Sequence, residues 1–490
     1  MRTVAYLFAA AVAAALAVSA PAQEQGPTLT LDDAIRLALQ RNKLLKVASY
    51  QPKISRANLL VARGQFDPNL QFNRTYSQTD FSSYGAGFTP IEDVTKTDSY
   101  SAAVTGLLPL GTQYFVGANT QELRDALDGA KSFDTFGGIS ITQPLLQQFG
   151  FGYNLYNVRV AKANRSISDQ IYRASAINEV TATIGAYSQL LLAHDQLNSA
   201  HRAENLAASL VTENEKEFKI GSISQADVIQ ARALAATYRE TILIAERAVR
   251  DAQNQLRELI GEDAFFEDEP LFTLVPYDAP VVTVDRRADL ITAFKMRPDY
   301  QQARLMIVSD KARESYAANA LLPIVNINGA WGYEGVSGSF YTSRQQVENR
   351  QNPSTQLGLA VTIPLTFAAG RGNLRAARLT REQAEENLKS MEADIAVAVA
   401  AAVGQIETTR KRVAADQNAY SLAKQVLDAD EKMKKDGQIT TFQVVNEQQQ
   451  VEEAENVLSY AVASERQAVA QYDQALGITL DRYHLTLTDN

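Results

Sequence analysis

Histidine, cysteine and paired glycines are the residues whose chemistry would be easiest to read here, and they do not assemble into a site. The chain has three histidines, His194, His201 and His484. His194 and His201 stand seven apart and share one helix face. Zinc-binding pairs sit at i, i+4 with further ligands, so this spacing favours a packed or surface role. His484 falls in a polar tail. There is no cysteine, which excludes a thiol nucleophile, a thiolate metal site, a disulfide and an N-terminal lipid-bearing cysteine. Gly150-Phe151-Gly152 lacks the third glycine of a nucleotide loop. The run Glu213–Lys219 mixes both signs and reads as a solvated helix face. No nucleophile stands with a base. The expectation is therefore no enzyme, no metal and no cofactor.

The N-terminus directs export. Arg2 is followed by an alanine-rich apolar run to Val18, and Ala20 and Ala22 fit an A-x-A cleavage site, so residues 1–22 read as a signal peptide. Its removal takes away Arg2 and moves the net charge from −9 to −10. An acidic exported chain is a poor partner for nucleic acid. Past the signal, no apolar run reaches the ~18–20 residues of a membrane-spanning helix. Ile395–Val403 is too short and stands between Asp394 and Glu407. A membrane-spanning form would have to be a closed β-barrel.

The elements repeat. Thr142-Gln143-Pro144-Leu145 and Thr362-Ile363-Pro364-Leu365 each end a strand-like run. Gly150 and Gly152 follow the first, Gly370 and Gly372 the second. No proline then occurs from Leu145 to Glu269 or from Leu365 to Asn490. Each block contains a similar phrase, Gly221-Ser222-Ile223-Ser224-Gln225-Ala226-Asp227 and Gly437-Gln438-Ile439-Thr440-Thr441-Phe442-Gln443. Such duplication points to an internal two-fold repeat.

Thr30, Asp32 and Asp33 predict a helix start, running to about Gly64 with an interruption near Pro52. Its counterpart runs from Val284-Asp285 to about Ala320. Alternation predicts strands at Val325–Tyr333 and Leu357–Ile363, with the polar segment Glu334–Pro353 as a loop. In the first half, Leu70–Tyr76, Tyr100–Val104, Thr112–Val116 and Gly137–Thr142 read as strands. Pro68 to Pro144 is 76 positions and Pro323 to Pro364 only 41, room for an extra β-hairpin in the first half. The chain total is thus four to six strands.

Ile167, Ile171, Ala174, Ile177, Val180, Ile184, Tyr187 and Leu191 recur every three or four positions, with a mean gap of about 3.4, close to a left-handed coiled coil. Outgoing helices of about 65 residues would be about 100 Å long and return arms of about 37 residues about 55 Å. The arms match only if the short helix before the strands stacks end to end with the return arm.

The opening Leu29–Asp33 helix, the Thr-Gln-Pro-Leu-Leu strand end, the Gly-Ser-Ile-Ser-x-x-Asp-Val turn and their duplication resemble the TolC-like outer-membrane efflux channel family over roughly residues 28–480. The resemblance implies a mixed fold: α-helical coiled-coil hairpins forming an α-barrel, plus an antiparallel transmembrane β-barrel closed by a homotrimer. It also implies contact with outer-membrane lipid, a periplasmic adaptor and an inner-membrane pump. The expected division is signal 1–22, first repeat 23–270, linker 271–283, second repeat 284–478 and tail 479–490. Aromatics such as Tyr76, Phe81, Tyr84, Tyr100, Tyr114, Trp331, Tyr333, Phe340 and Tyr341 would be interfacial girdles or ordinary strand composition.

Gly221, Ile223, Ser224, Gly437, Ile439 and Thr440 would form the helical tips, as adaptor contacts or simply as helix caps. Relatives often carry an aspartate ring at the second tip, where Gln443 and Asn446 stand here. Asp227 and Asp436 are the remaining acids. They would give cation preference at the gate, or Asp227 would only serve the helix dipole. The leading expectation is a passive channel of a tripartite efflux system for small molecules. Polypeptide secretion through the same channel and an exported coiled-coil scaffold without a pore are the alternatives.

Overall fold

Long proline-free blocks become long helices. The computed structural model describes residues 28–84, 90–124, 130–261, 273–436 and 438–487; the signal segment 1–22 and Gly437 lie outside these. In chain order the elements are β1 (Thr28–Leu29), α1 (Leu31–Arg41), α2 (Lys43–Arg63), β2 (Asn69–Tyr84), β3 (Pro90–Leu107), β4 (Gln113–Arg124), β5 (Lys131–Pro144), α3 (Phe151–Asn154), α4 (Tyr156–Lys219) and α5 (Gln225–Leu259). Then follow β6 (Thr273–Leu274), α6 (Arg286–Met296), α7 (Pro298–Asn319), β7 (Ile324–Ser337), α8 (Phe340–Glu348), β8 (Pro353–Thr362), α9 (Ala368–Lys435), α10 (Thr441–Leu476) and α11 (Thr479–Arg482). The outgoing arms α4 and α9 have 64 and 68 residues, and the return arms α5 and α10 have 35 and 36.

Two expectations need correction. The first short helix does not break at Pro52, which lies inside α2. It breaks at Asn42, whose backbone turns to ψ 124. A proline removes one donor, whereas Asn42 is drawn out of the helix by partners on other elements. The segment 334–353 is not a loop throughout, because it holds the end of β7 and α8. Tertiary packing overrides its polar composition: the Phe340 ring lies 6.2 Å from that of Phe133, and Ser343 is fully buried.

The chain divides into two compact units, and each draws on both halves of the sequence. One unit is Tyr50–Ile171 with Asp299–Glu392. Its centre is a six-stranded sheet in the order β2-β3-β4-β5-β7-β8, antiparallel throughout. The extra hairpin of the first half is present, so among the described residues this sheet has six strands. Pairing puts Leu70, Val104, Val116, Ile139 and Trp331 in one row on one face, all exposed. The adjacent row on the other face is Ala103, Gly117, Gly138, Gly332 and Ser354. One face is apolar and the other small or polar, the period-2 signature of a sheet between two different surroundings. At the centre of the small-residue row the β5 and β7 backbones nearly touch. A Cβ on Gly138 would lie 2.7 Å from Gly332 Cα, and the Phe136 ring covers both glycines.

Helix α8 lies on the apolar-row face, toward the strand ends remote from Pro144. A Cβ on Gly137 would meet Val347 at 2.7 Å, and one on Gly335 would strike the Ser343 carbonyl. Beneath the helix, the buried hydroxyls of Thr120, Thr135 and Ser343 form a chain with links of 3.0 and 2.9 Å.

The other unit is Met1–Ser49, Tyr172–Pro298 and Ala393–Asn490. Its core joins α1 to α4 and α5 through Ile35, Val180, Ile184, Tyr187, Leu190, Leu256 and Ile260. The predicted apolar stripe is buried from Ile177 onward. Fully buried Tyr187 fastens the short β1–β6 pair. Its hydroxyl lies 2.8 Å from the carbonyl oxygens of both Leu29 and Val275 and accepts the Val275 N–H at 3.2 Å.

The return arms end where the short helices break. After α5, Gly261 has φ +74, and a Cβ there would lie 2.5 Å from the Arg41 carbonyl oxygen. Asn42 Nδ2 donates to the Leu259 carbonyl at 3.0 Å and to Glu179 Oε1 at 2.6 Å. After α10, Gly477 has φ +73, and a Cβ there would lie 2.9 Å from Arg297 N and Cα. Arg297 Nη1 donates to the Ala475 carbonyl at 3.0 Å. In both places the residue at the helix break caps the carbonyl two positions before the glycine. This is the end-to-end meeting that the arm lengths require.

Fully buried Asp473 on α10 faces Arg482 at the end of α11. Burial pushes its carboxyl up to about 6, although the guanidinium works the other way. The folded chain therefore takes up this proton before the unfolded chain does. Ionisation of Asp473 weighs against folding above about pH 6, and the cost disappears as pH falls from about 6 to about 4. Asp473→Asn is expected to remove about 2–3 kcal/mol of that pH dependence. Chemical denaturation of both proteins between pH 7 and pH 4 measures it.

Candidate functional site at the helical turns

The α4–α5 and α9–α10 turns are built alike. Ser222 N–H donates to the Glu217 carbonyl at 2.9 Å, and Gln438 N–H donates to the Met433 carbonyl at 2.9 Å. Both bonds reach back five residues and close the outgoing helix. Gly221 supplies the left-handed step at φ +79. Gly437, its predicted counterpart, lies outside the described residues.

Each return helix opens on a capping box. Ser224 Oγ accepts the Asp227 N–H at 3.3 Å, and Asp227 Oδ2 accepts from Ser224 N–H at 2.9 Å and from Oγ–H at 2.7 Å. Thr440 Oγ1 accepts the Gln443 N–H at 3.4 Å, and Gln443 Oε1 accepts the Thr440 N–H at 3.0 Å. The reciprocal pair satisfies donors that the first helical turn leaves free. In the first turn, hydrogen bonds from the Ser224 hydroxyl and then its backbone hold the Asp227 carboxyl below the usual carboxylate range. Asp227 and Gln443 thus occupy the same place, and an amide carbonyl does in one turn what a carboxylate does in the other. Ile223 and Ile439 are half-buried, whereas Asp436 and Asn446 are exposed.

The two turns lie side by side. Leu210, Asn214 and Asp227 from the first hairpin and Phe442, Val445 and Gln449 from α10 line a cavity of about 120 Å³. Lys434 Nζ of α9 pairs with Glu213 of α4 at 2.9 Å, and Arg202 of α4 pairs with Glu455 of α10 at 2.7 Å. A second cavity, of about 210 Å³, is lined by Tyr238, Tyr420 and Glu452 among others. Burial raises the Glu452 carboxyl. Sequence reasoning missed Glu452, an acid inside a polar run with nothing to set it apart.

These groups close and tie helices, and none is placed for bond-making. His194 is held below the usual imidazole range by burial, His201 is exposed and His484 lies beyond α11. Among the described residues no three His, Cys, Asp or Glu side chains are placed to hold a metal ion. Among them too, no helix is long and apolar enough to cross a membrane.

Residues 34–262 match the family model described as outer membrane efflux protein. The chain is 23% identical to outer membrane protein TolC of Vibrio cholerae over 347 residues, 69% of this chain and 76% of that one. The fold is similar to two solved structures, an outer membrane channel and an outer membrane protein. For CmeC of Campylobacter jejuni the TM-score is 0.63 at 17% identity, over 91% of this chain and 85% of that one. For VceC of Vibrio cholerae it is 0.64 at 17% identity, over 91% and 96%.

Proposed function

We propose a passive exit duct, from the premise that the chain is an outer membrane efflux protein of the TolC type. Such a protein resides in the outer membrane with its helical part in the periplasm, and it transports rather than catalyses. Beyond that premise, the reading is that three copies close one barrel and pass small molecules delivered by a periplasmic adaptor and an inner-membrane pump. The observation that carries it is the two-faced sheet whose outer strands, β2 and β8, each have one edge unpaired among the described residues. One chain cannot satisfy those edges in lipid, but a ring of chains can. Reconstitution into a planar bilayer is expected to give discrete conductance steps. A protein that gives none is a scaffold, and the reading falls.

The turns are the second part of this reading. Tips Gly221–Ser224 and Gly437–Thr440 meet the adaptor and close the duct at rest. Asp227 is engaged as a helix cap, so the exposed Asp436 is the acid that supplies cation preference at the entrance. Asp436→Asn is expected to lower cation selectivity, read as the reversal potential in a salt gradient. Asp227→Asn is expected to leave selectivity unchanged and to weaken the α5 cap by about 1 kcal/mol. The opposite pattern would reassign the gate to Asp227.

A further inference from the structure

On the sheet face that carries Trp331, side chains change character row by row toward the strand ends remote from Pro144. The Ile139–Trp331 row is apolar. Above it, in register, come Tyr100, Thr120 and Thr135, then the acids Asp98 and Glu122, and finally the cations Lys96, Arg124 and Lys131 on three neighbouring strands. The acids offset the cations only in part. Asp98 is held by Arg74 at 2.8 Å. Glu122 is almost buried and lies against both Arg124 and Lys131. The last row thus has three cations to one acid, and the Arg124 and Lys131 side chains are each 49% exposed.

The position fits a lipid headgroup. Strands lie about 4.8 Å apart, so the row is about 10 Å wide. From Ile141 to Lys131, β5 climbs ten residues. That is about 34 Å along the strand and about 25 Å of height at a tilt of about 45°, the height of the apolar band of an outer-membrane barrel. The cations stand where hydrocarbon gives way to phosphate, and α8 covers the intervening hydroxyls of Thr120 and Thr135.

We propose that Lys96, Arg124 and Lys131 bind the phosphate of an outer-leaflet lipid. The proposal rests on the outer-membrane reading, with the Trp331 face turned to lipid. The chain has one tryptophan, so the orientation can be tested separately. In phosphatidylcholine vesicles with brominated acyl chains, Trp331 fluorescence is expected to be quenched. No quenching would sink both the orientation and the proposal.

The binding test uses the full-length protein extracted from vesicles containing a bisphosphorylated glycolipid, with bound lipid read by native mass spectrometry. The native protein is expected to retain that glycolipid and to lose its dephosphorylated form. K96Q/R124Q/K131Q is expected to retain about tenfold less, while the charge-keeping K96R/K131R retains it as the native protein does. Conductance of each variant reports folding. Three outcomes overturn the proposal while leaving the channel reading intact. They are equal retention by the triple variant, equal retention of the dephosphorylated lipid, and displacement by inorganic phosphate at the same concentration.

Discussion

Gly138→Leu is expected to abolish channel formation. At this position β5 from the first half of the chain meets β7 from the second, and the Trp331 carbonyl and Gly332 Cα already fill the space of a Cβ. Both obstacles are backbone, so no rotamer change relieves them. Overpacking a core costs about 1–3 kcal/mol when side chains can shift. Here the ladder itself must open, which places the cost above about 3 kcal/mol. Gly329→Leu is the control, because it lies on the same β7 strand with nothing within 4 Å of a Cβ. Conductance and protease resistance of the reconstituted proteins should fall more than tenfold for Gly138→Leu and stay near the native level for Gly329→Leu. Equal behaviour of the two would mean that the close approach of β5 and β7 does not govern the sheet.

The second large effect is expected at the ends of the return arms. Gly261→Val and Gly477→Val each force a β-branched residue into a left-handed conformation, at about 1–2 kcal/mol. Each also drives its Cβ into the backbone of a short helix, Arg41 in one case and Arg297 in the other. About 3 kcal/mol per site is a reasonable sum. The two sites share no partner among these contacts, so the double variant should lose about 6 kcal/mol. Gly221→Asn separates conformation from contact. Its φ is +79 with nothing within 4 Å of a Cβ, and asparagine tolerates that conformation, so a loss under about 1 kcal/mol is expected. Thermal unfolding of the four variants, followed by circular dichroism, gives these values. A double variant as stable as Gly221→Asn would show that the junctions carry no load.

What the sequence made legible depended on how far each signal reached. Proline-free blocks and glycine turns are local, and they placed α4, α5, α9 and α10 within a few residues. Spacing between prolines foresaw the extra hairpin. Ser224 and Thr440 are legible as helix caps, but their reciprocal partners Asp227 and Gln443 read only as gate or dipole groups. Long-range features were not visible. Asn42 breaks its helix for the sake of Leu259 and Glu179, far along the chain, whereas Pro52 looked like the natural breaker. Helix α8 lacks an obvious amphipathic pattern and is held by Phe133 and by strand glycines. The cation row of Lys96, Arg124 and Lys131 exists only through register, which no one-dimensional reading supplies. Asp227 could be read as gate or cap from its position alone, and its hydrogen bonds favour the cap.

The two open edges of the sheet have a consequence for how the chain is made. β5 waits for β7, so the sheet stays split until most of the polypeptide has been exported. Once complete, β2 still offers 16 residues and β8 still offers 10 with one side unpaired. Local contacts can fold the helices quickly, but on the proposed reading, in which several chains close one barrel, the last pairing is a collision between molecules. Its rate therefore rises with the amount of chain in transit, and wrong encounters rise with it. Overproduction should accordingly favour aggregates over channels. The slow step of maturation should be second order in chain, and a periplasmic escort that masks strand edges should matter more to yield than any single stabilising substitution.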